Sequence, residues 1–263
     1  MTAIALTIAG SDSGGGAGIQ ADLAAFRSFG VHGTSAITAV TAQNTLGITA
    51  IHAIPPAILD AQIEAVLEDF EVKAIKIGMI PGIEHAAVIA ERLTGSSLPI
   101  VLDPVMSATS GQALGGRGTM ETVRDRLFPL AACITPNLPE AAALLGAGEA
   151  ADEAAMIAQA RALLALGARA VLLKGGHGRL DEAVDMLVSA EGIFRFAAAW
   201  VETPNRHGTG CALSSAVAAN LALGRRLDDA VSAAKTWLHG RLLAGSGVKI
   251  GRGSGPAVLF QSI

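Results

Sequence analysis

Apolar positions along the chain fall into two alternating patterns. Short, mostly unbroken runs at Ala3–Ala9, Ser35–Thr41, Ala74–Ile77, Ile100–Leu102, Cys133–Thr135 and Ala170–Leu173 predict strands covered on both faces, as in a parallel sheet. Between them lie segments of helical character at Ala17–Phe29, Ala57–Phe70, Ile83–Leu93, Met120–Leu127, Glu140–Leu145 and Asp152–Leu166. In the last of these, Met156, Ala160, Leu163 and Leu164 fall near one face, and Gly167 supplies a stop signal. Later, Leu187–Ser189 and Ile193–Ala197 flank Ala190-Glu191-Gly192 and predict a hairpin. Two helices follow, Ala212–Leu223 and Asp229–Leu243, with Asp228 as the candidate cap of the second. There is no internal repeat and no low-complexity linker. The alternation predicts one α/β domain over residues 1–263 with a mostly parallel central sheet.

Ser28 to Leu59 carries no Asp, Glu, Lys or Arg. His32, Gln43, Asn44, His52 and Pro55-Pro56 interrupt it, which argues against a membrane span and for a buried strand pair joined by a turn. The apolar opening residues lack the preceding basic residue and the cleavage site of a signal peptide. A hydrophobic share of 51% with mixed charge excludes intrinsic disorder. The net charge of −4 and 3% aromatic content give no case for nucleic acid as a partner. Two cysteines, Cys133 and Cys211, make neither a disulfide scaffold nor a zinc module. These properties predict a soluble, cytoplasmic protein and leave a homo-oligomer open.

In an open α/β sheet, ligands bind beyond the carboxyl ends of the strands. The residues there read Gly10-Ser11-Asp12, Gln43-Asn44, Gly78-Met79, Asp103-Pro104-Val105, Pro136-Asn137 and Lys174-Gly175-Gly176. The strongest local signal is His207-Gly208-Thr209-Gly210-Cys211, directly ahead of an apolar helix. Glycines there expose backbone N–H groups at the positive end of a helix dipole, a site suited to a phosphoryl group gaining charge. The same dipole should lower the thiol pKa of Cys211. An ordinary glycine turn ahead of a core helix would have the same spacing.

Residues 10–18 form a second glycine loop. It is not a P-loop, because no Gly-Lys-Ser/Thr follows. The relaxed dinucleotide pattern at Gly16, Gly18 and Ala21 lacks its acidic partner about 20 residues on. Asn137 and Glu140 have the spacing of a capping box, with Mg²⁺ organisation by Glu140 as the alternative. Asp103, at a strand end, could bind metal or polar substrate, or cap the following turn; Lys174, likewise placed, could offer charge to nucleotide phosphates or be a solvated lysine. Lys235 reads as surface charge on its helix.

In this order the segments resemble the hydroxymethylpyrimidine/phosphomethylpyrimidine kinases of thiamine biosynthesis, within the ribokinase-like superfamily. The resemblance rests on Ala9-Gly10-Ser11-Asp12 with Gly15-Gly16-Ala17-Gly18-Ile19-Gln20-Ala21-Asp22, then Ala42-Gln43-Asn44-Thr45, Lys76-Ile77-Gly78-Met79 and Asp103-Pro104-Val105-Met106. It continues through Thr135-Pro136-Asn137-Leu138-Pro139-Glu140, Lys174-Gly175-Gly176-His177 and His207-Gly208-Thr209-Gly210-Cys211. It implies a three-layer α/β/α fold and ATP- and Mg²⁺-dependent phosphorylation of the pyrimidine's hydroxymethyl group, then of the monophosphate. It carries the pyrimidine site onto Gly10, Asp22, Gln43, Met79 and Val105, with Gln43 reading the amino and ring-nitrogen edge. It carries the anion hole onto Gly208, Thr209 and Gly210, the catalytic position onto Cys211, and Mg-ATP organisation onto Asn137 and Glu140, with Asp103 and Lys174 beside them.

Many members of the superfamily carry an aspartate where Cys211 stands. A neutral thiol tolerates an acceptor that already bears a phosphate, whereas an aspartate repels it. Pyridoxal kinases are the nearest rival, and Gln43 with Met79 favours the aminopyrimidine. A non-catalytic pyrimidine binder would need neither the anion hole nor Glu140. Ser107–Gly118, rich in Gly, Ser and Thr, is the candidate lid.

Overall fold

The structure, a computed structural model, describes residues 2–106, 116, 118–176 and 182–257. The lid candidate Ser107–Gly118, apart from Gly116 and Gly118, lies outside the described residues. Among the described residues nine strands form one sheet: β1 (Ile4–Asp12), β2 (His32–Asn44), β3 (Gly47–Ala53), β4 (Val72–Ile77), β5 (Ile100–Leu102), β6 (Cys133–Ile134), β7 (Ala170–Lys174), β8 (Glu182–Ser189) and β9 (Gly192–Ala199). Their spatial order is β3-β2-β1-β4-β5-β6-β7-β8-β9. Strands β2 to β7 through β1 run parallel, and β3, β8 and β9 extend the sheet by antiparallel pairing. The helices are α1 (Gly18–Ser28), α2 (Pro56–Asp69), α3 (Ile83–Leu93), α4 (Thr119–Leu127), α5 (Leu138–Leu145), α6 (Glu153–Leu164), α7 (Thr209–Ala222) and α8 (Leu227–Ala244).

Side chains alternate across the sheet because the strand period is two. Leu6, Ile8, Ile75, Ile77, Leu102 and Ile134 enter one core, against Leu59 and Ile63 of α2 and Ile89 and Leu93 of α3. Their neighbours Ala5, Ala74, Val101 and Cys133 face the other core, against Phe26 of α1 and Ala212, Ala216 and Ala219 of α7. The second face is lined by small residues and meets a helix that is alanine-rich and buried on nearly every side. Small residues on both surfaces let α7 lie close to the sheet. That approach brings its first turn to the strand ends.

Register does the rest. Ile8 pairs with Ile77, Ile77 with Leu102 and Leu102 with Ile134, so the parallel strands end at one level. The sheet order reverses between β1 and β4, and a crevice opens there.

Two expectations are corrected. The strand pair at Ser28–Leu59 exists as β2 and β3, yet most side chains of β3 are exposed or half-exposed, so it is not a buried pair. Helix α8 starts at Leu227 with Arg226 at the cap. Asp228 does not cap it; Asp228 and Asp229 lie in its first turn, where they complement the dipole.

Candidate active site

A cavity of about 830 Å³ lies at the carboxyl ends of the strands. It takes in Gly10, Gln43, Met79, Asp103, Val105, Asn137, Glu140, Lys174 and the Gly208–Cys211 segment together. Of the residues expected at the site, only Asp22 is absent from its walls.

The two glycine loops interlock at its centre. Asp12 accepts N–H groups of its own loop: Gly14 N at 2.7 Å on Oδ1, and Gly16 N at 3.0 Å and Ala17 N at 2.9 Å on Oδ2. His207 Nε2 meets the same Oδ2 at 2.8 Å. Burial alone would raise the Asp12 pKa, but the His207 and Gly14 hydrogen bonds overcome it and hold it below the usual value. The loops also touch through backbone. Gly208 has φ +76°, and a Cβ there would fall 1.9 Å from Gly16 O.

At one end of the cavity, Gly10 packs under Met79: a Cβ at Gly10 would sit 2.9 Å from the Met79 sulfur. Ser13 Oγ binds both the backbone N–H and the backbone carbonyl of Gln43, at 2.8 and 2.7 Å. The Gln43 amide reaches between Thr41 Oγ1, at 3.0 Å, and His207 Nε2, at 3.2 Å.

At the other end, Lys174 Nζ donates to Asp103 Oδ1 at 2.7 Å, and Thr135 Oγ1 donates to the same oxygen at 3.0 Å. Burial disfavours the Lys174 charge, but Asp103 and Glu140 outweigh it and raise its pKa. It is therefore a buried ammonium, and the solvated-lysine alternative is set aside. A Cβ at Gly210 would lie 3.1 Å from Lys174 Nζ, so glycine leaves room for this charge close to the α7 start. Asn137 and Glu140 form a complete capping box on α5, each accepting the other's backbone N–H at 2.8 Å. Burial pushes the Glu140 carboxyl up to about 7 against the opposing charge of Lys174, and Asp103 adds to the rise.

Asp22 is enclosed beneath the floor. It accepts Lys76 Nζ at 2.8 and 2.9 Å, Thr7 Oγ1 at 2.6 Å and Ser215 Oγ at 2.6 Å, and it has no exposed surface. The expectation of a pyrimidine contact from Asp22 is corrected: its acceptor capacity is spent on holding β1, β4 and α7 together. Breaking such a pair by removing one partner costs about 3–5 kcal/mol.

Cys211 also departs from expectation. Burial pushes its thiol up to about 11, Lys76 opposes the rise, and Asp22 and Asp103 add to it. Desolvation is the largest influence, so the group is a neutral thiol near pH 7. Cys133 is wholly buried core, as expected. Lys235 is not simply surface charge: its Nζ donates to Asp185 Oδ2 at 2.7 Å, and Asp185 Oδ1 accepts Gly175 N at 3.0 Å.

Sequence reasoning assigned no role to Asp12, His207, Lys76 or Asp185. A signal for three of them was present. Lys76 and Asp185 are charges inside apolar strands, which calls for a buried partner. Asp12 two residues before Gly14 is the pattern of a side chain that folds a turn onto itself. For His207 there was none.

Among the described residues no group of three or more His, Cys, Asp or Glu side chains is placed to cage a metal. Asp103 and Glu140 nevertheless both face the cavity, and a hard cation that arrives on phosphates with its own waters needs one or two carboxylates. The residues fit that mode of binding. No helix among the described residues is long and apolar enough to cross a membrane.

A mostly parallel sheet between two helical layers, with an uncapped glycine-started helix whose first turn lines the strand-end cavity beside a buried lysine, defines a small-molecule kinase of the ribokinase-like class. The chain belongs to the phosphomethylpyrimidine kinase family, whose model matches residues 12–258. It is 52% identical over 261 residues to the hydroxymethylpyrimidine/phosphomethylpyrimidine kinase of Rhizobium meliloti, covering 99% of this chain and 98% of that protein. It is 45% identical over 252 residues to the thiamine biosynthesis bifunctional protein of Geobacter sulfurreducens, covering 95% of this chain and 51% of that one. Among solved structures, the ADP complex of Bacillus subtilis pyridoxal kinase superposes with a TM-score of 0.88 at 35% identity, over 97% of this chain and 96% of that one.

Proposed function

We propose that the chain, acting in the cytoplasm as one kinase domain, transfers the γ-phosphoryl group of ATP to the hydroxymethyl group of 4-amino-5-hydroxymethyl-2-methylpyrimidine. It then phosphorylates the monophosphate, forming the diphosphate used in thiamine diphosphate biosynthesis. One observation carries this reading: a single cavity joins an amide flanked by aliphatic side chains, Gln43 with Met79 and Val105, to the open start of α7 beside Lys174.

Phosphoryl transfer proceeds through a loose transition state, so positioning and charge neutralisation carry most of the catalysis. Gln43 reads the amino and ring-nitrogen edge, and Gly10, Met79 and Val105 pack the ring. The backbone N–H groups of the Gly208–Thr209–Gly210 turn receive the charge that gathers on the transferring group. Lys174 and Asn137 hold the nucleotide phosphates. Mg²⁺ bound with ATP would neutralise phosphate charge, faced by Glu140 and Asp103. Cys211 sits at the acceptor as a neutral thiol, and its neutrality admits a phosphorylated acceptor without repulsion.

The test is ADP release with hydroxymethylpyrimidine, its monophosphate and pyridoxal side by side. Turnover with the first two and a lower kcat/KM with pyridoxal is the expected result. A preference for pyridoxal would overturn the substrate assignment, and no ADP with any of the three would make the chain a binder.

A further inference from the structure

Asp12 and His207 connect the two ends of the cavity in a way that bears on how the ring is read. Three backbone N–H groups, from Gly14, Gly16 and Ala17, already donate to the Asp12 carboxylate. The carboxylate is therefore an acceptor, and the His207 Nε2 that meets it at 2.8 Å carries a hydrogen. Both side chains are more than nine-tenths buried.

The same Nε2 lies 3.2 Å from one terminal atom of the Gln43 amide, and Thr41 Oγ1 lies 3.0 Å from the other. The two ends of an amide have nearly the same shape, and hydrogen bonding decides between them. Drawn with nitrogen toward His207, the amide sets donor against donor. Turned over, its oxygen shares the His207 hydrogen with Asp12, and its nitrogen donates to Thr41 Oγ1. The Thr41 hydroxyl in turn donates to Ser11 O at 3.1 Å. Every group in the chain is then matched.

We propose that His207, held by Asp12, is a positioning residue that fixes the Gln43 amide with its oxygen on the His207 side and its nitrogen on the Thr41 side. The inference rests on the aminopyrimidine reading above and adds the direction in which the ring is bound. The amide keeps one acceptor lone pair and one N–H for the substrate. The ring amino group donates to the oxygen, on the His207 side, and the adjacent ring nitrogen accepts from the amide nitrogen, on the Thr41 side. The hydroxymethyl group is on the ring carbon next to the one bearing the amino group. His207 leads directly into Gly208–Gly210, so this orientation turns the hydroxymethyl group toward the anion hole. The opposite amide would turn it away.

The discriminating probe is the 4-oxo analogue, 5-hydroxymethyl-2-methylpyrimidin-4(3H)-one. Its carbonyl and ring N–H invert the donor and acceptor that Gln43 must meet. The unaltered enzyme should prefer the amino compound by at least about 100-fold in kcat/KM, because the wrong analogue leaves buried polar groups unmatched. In His207→Leu the amide is free to turn, and that preference should fall by about tenfold. Thr41→Val, which releases the other end, should lower it roughly threefold. A purely structural role would reduce kcat/KM for both compounds together and leave the ratio unchanged, so an unchanged ratio in folded His207→Leu overturns the proposal. If that variant is insoluble, an unchanged ratio in Thr41→Val does the same. Equal use of the two compounds by the unaltered enzyme would overturn the orientation alone. ADP from neither would overturn the aminopyrimidine reading and the orientation with it.

Discussion

The two glycine loops look alike in sequence and do opposite work. The Gly10 to Gly18 loop spends the N–H groups of Gly14, Gly16 and Ala17 internally, on the carboxylate of Asp12, and bonds to Gln43 and His207. The Gly208–Gly210 turn starts α7 with no side chain capping it, and its three residues line the cavity. The start of α5 makes the contrast sharper, because there the Asn137–Glu140 box fills the place that an anion would take. A glycine loop ahead of a helix is an anion site only where no carboxylate of the chain has already taken it.

Substitutions that exchange or block these roles test the contrast. The largest effect is expected from Gly208→Ala. Its φ of +76° is unfavourable to a side chain, and the new Cβ would strike Gly16 O, a backbone atom that cannot swing aside. Loss of the aligned donors should lower kcat by about 100-fold or more, read by ADP release with a thermal melt alongside. A variant of ordinary activity would show that the turn is not the anion hole.

Cys211→Asp comes next. It places a carboxylate where the second acceptor brings a phosphate, and like charges in such contact repel. The second phosphorylation should fall at least about tenfold further than the first, the equivalent of about 1.4 kcal/mol of repulsion. Equal losses, measured separately with hydroxymethylpyrimidine and its monophosphate, would sink the neutral-thiol account.

Gly16→Ala should do less than Gly208→Ala. Its Cβ would meet the His207 ring at 2.3 Å, and a ring can shift where a carbonyl cannot. A roughly tenfold loss of kcat/KM is expected, below the hundredfold that a full ångström of misplacement can cost. A loss equal to that of Gly208→Ala would mean that the first loop contributes donors of its own.

The smallest effect concerns Glu140→Gln, which keeps an oxygen for the Asn137 N–H and removes a titration. Because the folded state raises this carboxyl to about 7, the folded chain binds its proton more tightly than the unfolded chain does. The stability so contributed is present at low pH and is lost as pH rises from the ordinary carboxylate range through about 7. Relative to the unaltered protein, the variant should therefore gain on the order of 1 kcal/mol or more across that window. Denaturant titrations at pH 5 and pH 8 read it, and parallel pH dependence in the two proteins would refute it.

Much of this was legible in the chain itself. The apolar runs located β1, β2, β4, β5, β6 and β7 and nearly all the helices, because burial on both faces leaves little room for polar residues. Strand β3 was expected only as the partner in a buried pair, without bounds of its own, because its exposure breaks that pattern. The ordered motifs placed Gly10, Gln43, Met79, Val105, Asn137, Lys174 and Gly208–Cys211 at one crevice, where they are. Asp22 shows the limit: its motif looked like a binding element, and only its neighbours Lys76, Thr7 and Ser215 reveal a buried brace.

The sequence by itself determined the class of fold, the family and the order in which the site residues arrive. These follow from local periodicity and from short motifs, which are properties of neighbours along the chain. The tertiary structure alone decided which groups are still free to act. Asp12 and Asp22, Lys76 and Lys174, and the two glycine loops differ in what lies across from them, and the partners of Asp12 and Lys76, His207 and Asp22, are 195 and 54 residues away. Burial also decided the state of Cys211: it pushed the thiol up, where the helix start alone was expected to lower it. Desolvation and hydrogen-bond partnership depend on packing in three dimensions, and one-dimensional spacing does not encode them.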